Sequence, residues 1–371
     1  MFIVTNRALE PKARGLRQFG KHPNPRGPNE LRMVEVQPRR GGWDVQIIPD
    51  ELDARWRRAA GIDQQWLESM GFSKSGPAYG SMYVAKKLLD RVNPARSGGR
   101  GKGRDLLVFV HGYNNDLQDV VTRAHSFERN FGVEVLAFSW PANGGGIAGA
   151  AAYLSDKNDA RVSVGALDRT LAKIDDMITR FNSAYMAEIQ KTARERCGDN
   201  DEHRREMVAR LADKGCPFKV SLVAHSMGNY LYKHLLLSSA SMGTKLMFDN
   251  VVLAAADANN KEHALWVDRI RARSRVFVTI NENDSALRIS RMKVGEQQLA
   301  RLGHYPRDLD SRQGVYVDFT GAKGVDSSHS YFEGGPLRNA AVNRFFQEAF
   351  TGAFAEKRLE YDVAQNLYRV Q

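Results

Sequence analysis

Ser226 stands between two small residues, Ala224 and Gly228, where a largely apolar, β-branched run (Val220-Ser221-Leu222-Val223-Ala224) stops and a helical pattern through Leu231, His234 and Leu235 begins. A serine hydroxyl lifted above a sheet edge on such a tight strand-to-helix turn is a nucleophile elbow. The small residues two positions before and after it let the backbone fold back without clashes. Here the pattern is Ala-x-Ser-x-Gly, a variant of G-x-S-x-G. A serine at an ordinary strand-to-helix turn would cap the helix instead, so Ser226 needs chemical partners elsewhere in the chain to count as a nucleophile.

A serine hydroxyl is a weak nucleophile at neutral pH. It needs a base to take its proton, and the base needs a carboxylate to hold its tautomer and stabilise the imidazolium. In α/β sheets reactive residues collect just beyond the carboxyl ends of strands. The residues in those positions are His111-Gly112-Tyr113, Ser226, Asp257, Asp284 and, shortly after the last apolar run, His329. Ser226, Asp284 and His329 follow one another in the order nucleophile, acid, base. Asp257, one strand earlier than Asp284, is the alternative acid, and Asp326 is nearer His329 in sequence without any assurance of geometry. His225 precedes the nucleophile and by strand alternation should point away from it, while His125 and His234 sit inside helical patterns. Acyl transfer also needs donors for a developing oxyanion. The amide of Met227, next after the nucleophile, is one expected donor. The amide of Tyr113, after a glycine that lets the backbone approach, is the other.

The elements that must hold these residues are legible from Asp105 onward. Leu106 to Val110 is a continuous apolar run, as in a strand buried on both faces of a parallel sheet. Leu117, Val120, Val121, Ala124 and Phe127 then recur at helical spacing. Further strands are expected at Val133–Phe138, Val220–Ala224, Asn250–Ala255, Arg275–Ile280 and Val315–Phe319, with a helix from about Ala160 to Phe181. Strands alternating with helices predict an α/β fold, a mostly parallel central sheet with helices on both faces, as one domain over 1–371. The charged helical stretch 182–217 reads as an insertion. Before residue 104 the pattern is weaker: strands at Phe2–Thr5, Met33–Gln37 and Trp43–Ile48, helices around Asp50–Ala60 and Ser81–Val92, and a loop over the Pro/Gly/Arg-rich Pro11–Arg32. Residues 1–90 are expected to supply the first strands and helix of the same sheet.

Composition narrows the function classes. The chain has 371 residues, enough for a substantial core, and no apolar stretch near the length of about 20 that spans a bilayer. The apolar part of the N-terminus is too short for a signal peptide, so a cytoplasmic location is expected. Two cysteines, Cys197 and Cys216, are too few for a disulfide framework, and the nine histidines show no metal-binding spacing. No metal or cofactor is called for. The net charge of +11 is concentrated at the start: residues 1–105 hold 20 Lys+Arg against 11 Asp+Glu, the rest 34 against 32. That basic region, with the Arg/Gly-rich stretch 93–104, offers a contact for nucleic acid or an anionic surface, or is simply a solvated arm and linker.

Taken together the segments Phe109-Val110-His111-Gly112-Tyr113-Asn114, Phe138-Ser139-Trp140-Pro141, Ala224-His225-Ser226-Met227-Gly228-Asn229, Asn283-Asp284-Ser285-Ala286-Leu287 and His329-Ser330-Tyr331-Phe332 resemble the α/β-hydrolase superfamily. Within it they look most like a bacterial esterase/lipase-like family of unknown function. The resemblance covers about Arg104 to Phe350 and implies Ser226 as nucleophile, Asp284 as acid and His329 as base. The expectation is a serine esterase acting on a small-molecule ester or acyl substrate; Asn143–Tyr153 is either an acyl-pocket lining or a plain structural loop. The competing reading is a catalytically silent hydrolase-fold binding or scaffold protein with a basic N-terminal contact surface.

Overall fold

The computed structural model describes residues 1–94, 103–142, 150–198, 200–212, 216–238, 242–292 and 300–371. In chain order it begins with strands β1 (Phe2–Thr5), β2 (Arg7–Leu9), β3 (Phe19–Pro23), β4 (Arg32–Arg39) and β5 (Gly42–Ile48), then helices α1 (Ala54–Ala60), α2 (Gln64–Ser69) and α3 (Gly80–Val92). The middle comprises β6 (Leu106–Val110), α4 (Leu117–Phe131), β7 (Glu134–Ser139), α5 (Ala150–Val162), α6 (Val164–Cys197) and α7 (Asp201–Ala212). The last part runs β8 (Val220–His225), α8 (Met227–Leu237), β9 (Phe248–Ala254), α9 (Ala264–Val267), β10 (Ala272–Ile280), α10 (Ser285–Met292), β11 (Gly314–Asp318), α11 (Ala340–Phe350), β12 (Glu360–Asp362) and β13 (Leu367–Arg369).

These elements form two compact units, one of Met1–Ile47, Asp105–Leu171 and Val220–Gln371, the other of Ile48–Arg104 and Ala172–Lys219. The first contains an 11-stranded sheet in the order β12-β13-β11-β10-β9-β8-β6-β7-β1-β4-β5. From β13 to β1 every neighbouring pair is parallel, while β12 and β4 pair antiparallel with β13 and β1. The expected mostly parallel α/β sheet is therefore the observed one. After β6 the chain crosses through α4 to β7 on one side, whereas β8, β9, β10 and β11 step away on the other. The strand order thus reverses at β6 and β8, and the crevice beyond the carboxyl ends of strands at such a reversal is where open α/β sheets bind ligands.

Burial explains the register. All five residues of β6 are buried, and Leu107 and Phe109 face a core that also takes Val223, Val252, Phe277 and Val317 from successive strands. Phe127 and Phe131 of α4 and Phe345, Phe346 and Phe350 of α11 close that face, with Phe127 edge-on to Phe109 at 5.2 Å. Each such phenylalanine, fully buried, contributes about 1.5–3 kcal/mol. Helix α4 is delimited locally: Asp116 and Asp119 form a reciprocal capping box, and Gly132 closes the helix in the left-handed region at φ 64°.

Two expectations are corrected. The stretch Pro11–Arg32 is not all loop, because β3 pairs antiparallel with β2 in a separate two-stranded sheet; Phe19-Gly20-Lys21-His22-Pro23 has no alternation of its own, so only the partner reveals the strand. The segment expected as a single helix from Ala160 to Phe181 is divided at Ser163 between α5 and α6, and α6 runs on to Cys197. The hairpin β12–β13 carries no strong apolar signal and is held by pairing with β11 and by Tyr361 against Tyr368 at 4.8 Å. The stretches 93–104 and Asn143–Tyr153 fall largely outside the described residues.

In the second unit α1 and α2 begin at aspartate caps, Asp53 accepting the Trp56 amide (2.9 Å) and Asp63 the Trp66 amide (2.7 Å). Trp56 packs edge-on against Tyr83, and Arg180 lies 4.2 Å over Phe72 while donating to the carbonyls of Met70 and Gly71. None of the candidate site residues belongs to this unit. Among the described residues no helix is long and apolar enough to cross a membrane.

Candidate active site

Ser226 ends β8 at φ 54° and ψ −122°, a conformation an L residue adopts only under strain. Three features hold it there. The Ser226 amide donates to Ala254 O (3.0 Å) and the Asp257 amide to Ser226 O (3.1 Å), so the turn is stitched to the end of β9. Asn229, in the first turn of α8, donates its side-chain amide to Ala224 O (2.8 Å). Gly228 and Gly112 give the close approach: a Cβ on Gly228 would lie 2.6 Å from Val110 O, and one on Gly112 only 2.7 Å from Ser226 Cβ. Ala224, fully buried, serves where the pattern usually has glycine. Ser226 occupies the helix N-cap position, yet its hydroxyl makes no capping hydrogen bond.

The Asp284 carboxylate, fully buried, is fixed at both oxygens. Oδ1 accepts the amides of Ala286 (2.9 Å) and Leu287 (3.0 Å) at the start of α10, and Oδ2 is 2.7 Å from His329 Nδ1. The loop that presents His329 is tied down by Asn281, whose side-chain amide donates to Asp326 O and Ser328 O, both at 3.0 Å. Asp257 is engaged elsewhere. Its carboxylate accepts from Tyr153 OH (2.9 Å) and Ser290 Oγ (2.7 Å) and pairs with Arg301 Nε (3.1 Å), a network almost completely buried. Burial, then the Asp257 charge, pushes the Tyr153 phenol well above its ordinary range, so it stays a donor. The structure thus brings Asp284, not Asp257, to His329. Ser226 Oγ and the His329 ring are not hydrogen-bonded to each other; in such sites that contact commonly tightens only around substrate.

The loop after β6 carries Tyr113. The next residue, Asn114, has φ 56° and its amide donates to the buried Asp156 Oδ2 (3.0 Å), while Asn115 Nδ2 donates to Tyr113 O (2.7 Å). Met227 is the first residue of α8, whose first-turn amides have no partner within the helix. Among the described residues no cluster of His, Cys, Asp and Glu is placed to hold a metal ion.

Two histidines matter in ways their spacing does not reveal. His225 lies against His329, ring centroids 4.7 Å apart, and its Nε2 donates to His329 O (3.2 Å); burial, then the neighbouring His329, depresses its pKa far below the usual value. His111 stacks on Trp140 at 5.0 Å, donates from Nδ1 to Gly112 O (2.9 Å) and accepts the Trp140 amide on Nε2 (3.1 Å). Burial, then the Arg7 charge, lowers its pKa from 6.5 to about 3. A histidine whose folded pKa is depressed stabilises the fold fully above 6.5 and progressively less as pH falls toward 3. Between those limits His111 steepens the loss by about 1.4 kcal/mol per pH unit. Urea unfolding at pH 4 to 6.5 is expected to show His111→Gln with a slope shallower by about that amount; an unchanged slope would mean His111 is not held neutral.

The family model described as Alpha/beta hydrolase of unknown function (DUF900) matches residues 99–187 and 190–329, more than half of the chain. The chain belongs to this α/β-hydrolase family. Tyr113, Ser226, Met227, Asp257, Asp284 and His329 of this α/β hydrolase all lie inside the matched span, and family membership supports a hydrolase in general. No curated protein and no solved structure shows a significant match to the chain.

Proposed function

We propose that this α/β hydrolase cleaves a carboxylic ester through an acyl-enzyme on Ser226. The observation that carries the proposal is the 2.7 Å contact between His329 Nδ1 and the buried Asp284, taken together with a serine strained into the elbow conformation at φ 54°. Nδ1–H donated to Asp284 leaves Nε2 as the basic nitrogen. His329 takes the Ser226 proton as Oγ attacks the ester carbonyl, and Asp284 stabilises the imidazolium. The amides of Met227 and Tyr113 donate to the oxyanion, each worth roughly 3–4 kcal/mol in comparable sites. His329 then protonates the leaving alcohol, and water, activated by the same imidazole, releases the acid.

A fluorophosphonate probe is expected to form an adduct that peptide mass mapping assigns to Ser226. Chromogenic esters of graded acyl length are expected to turn over, and the length preferred separates an esterase from a lipase. A folded chain that takes up no probe and hydrolyses no ester of the series would refute the proposal and favour the scaffold reading.

A further inference from the structure

For this reading to hold, two loops far apart in sequence must keep a fixed distance: the one after β6 that carries the Tyr113 amide and the one that carries His329. A single side chain of α4 reaches both. Arg123 donates from Nη1 to Asn115 Oδ1 (3.1 Å), from Nε and Nη2 to Glu333 Oε1 (3.1 and 2.8 Å) and from Nη2 to Ser330 Oγ (3.3 Å). Its guanidinium lies 5.8 Å over Phe332, whose ring packs edge-on against His225 at 4.9 Å. On one side the path continues through Asn115 Nδ2 to Tyr113 O, and Arg7 Nη2 grips Asn115 O at 2.7 Å. On the other side Ser330 directly follows His329, and the Glu333 amide closes a turn onto Ser330 O (3.1 Å).

We propose that Arg123 is a positioning residue, one that sets the spacing between the oxyanion-binding amide of Tyr113 and the imidazole of His329. The inference rests on the site reading given above. Guanidinium is suited to this task because it is planar and presents several donors in a rigid fork, so one group holds a carboxylate, an amide oxygen and a hydroxyl at fixed angles. A lysine ammonium carries the same charge without the fork. The ion pair retains 17% and 25% side-chain exposure, so solvent screens much of its contribution to stability. Its effect should appear instead in catalysis, where a displacement of about 1 Å costs on the order of a hundredfold.

The test compares variants of the full chain on the best chromogenic ester, after fluorophosphonate labelling of the wild type at Ser226. Arg123→Ala is expected to lower kcat by about a hundredfold with KM changed less than about threefold. Arg123→Lys, which keeps the charge and spares the fold, is expected to remain at least about tenfold down. Arg123→Ala combined with Asn115→Ala should lose little more than the worse single variant, as residues acting in one chain do. Arg275→Ala removes a comparable ion pair to Glu356 (2.6 Å) at the opposite end of β10 and serves as the control with unchanged kcat. The His329 Nδ1–H proton resonance, shifted in Arg123→Lys but not in Arg275→Ala, gives a readout independent of turnover. Wild-type labelling with Arg123 variants that match Arg275→Ala in kcat and in that resonance overturns the inference alone. A wild type that does not label removes the site reading and the inference with it.

Discussion

Ser226→Ala is expected to lower kcat by about six orders of magnitude and Asp284→Asn by about four, with Asp257→Asn leaving kcat of the folded enzyme nearly unchanged. The asymmetry follows from what each carboxylate touches. Asp284 Oδ2 meets His329 Nδ1 at 2.7 Å while two amides hold Oδ1. An asparagine there would present an N–H or a weaker acceptor to the imidazole and turn it to the wrong tautomer. Asp257 instead neutralises Arg301, and both side chains are 3% exposed. Its replacement removes the carboxylate from a buried ion pair, which typically costs about 3–5 kcal/mol in stability. Turnover of a chromogenic ester, measured with urea unfolding for each variant, separates the two effects. A large kcat loss in Asp257→Asn with a near-native Asp284→Asn would reverse the assignment of the acid.

Arg7→Leu is expected to destabilise the fold by about 3–5 kcal/mol, the second large effect. Arg7 is fully buried, and burial lowers its pKa to about 10, with Asp116 and Asp156 pulling the other way. Its donors are spent on four oxygens of three separate segments: Ser139 Oγ (3.0 Å) and Ala142 O (3.2 Å), Gly20 O (3.0 Å), and Asn115 O (2.7 Å). Leucine fills part of the volume but leaves those acceptors without a donor, and each buried orphan costs about 1–3 kcal/mol. The urea midpoint should fall with little change in slope. A shift below about 1 kcal/mol would mean water replaces the guanidinium without penalty.

Much of the site was legible because its signals are local. The elbow is written in Ala224, Gly228 and the abrupt end of an apolar run, since the turn needs small residues wherever it occurs. The strand ends that carry Asp284 and the Tyr113 loop follow from runs such as Leu106 to Val110, which suit a strand buried on both faces of a parallel sheet. Short pieces without internal periodicity were not legible: β3 and the hairpin β12–β13 exist through their partners, and the boundary at Ser163 interrupts an otherwise continuous helical pattern.

By itself, then, the amino-acid order determined which residue types stand at the ends of strands, and in the sequence Ser226, Asp284, His329. The order favours Asp284 and keeps Asp257 as the alternative; only the tertiary structure decided which aspartate meets the histidine, because both stand on loops after strands and what separates them is the partner, Arg301 or His329, that folding brings within 3.1 and 2.7 Å. The same holds for Arg7, Arg123, His111 and His225. A basic residue in a strand or on a helix reads as solvated until the chain closes over it, and contacts across 100 or more positions depend on packing that no local pattern encodes.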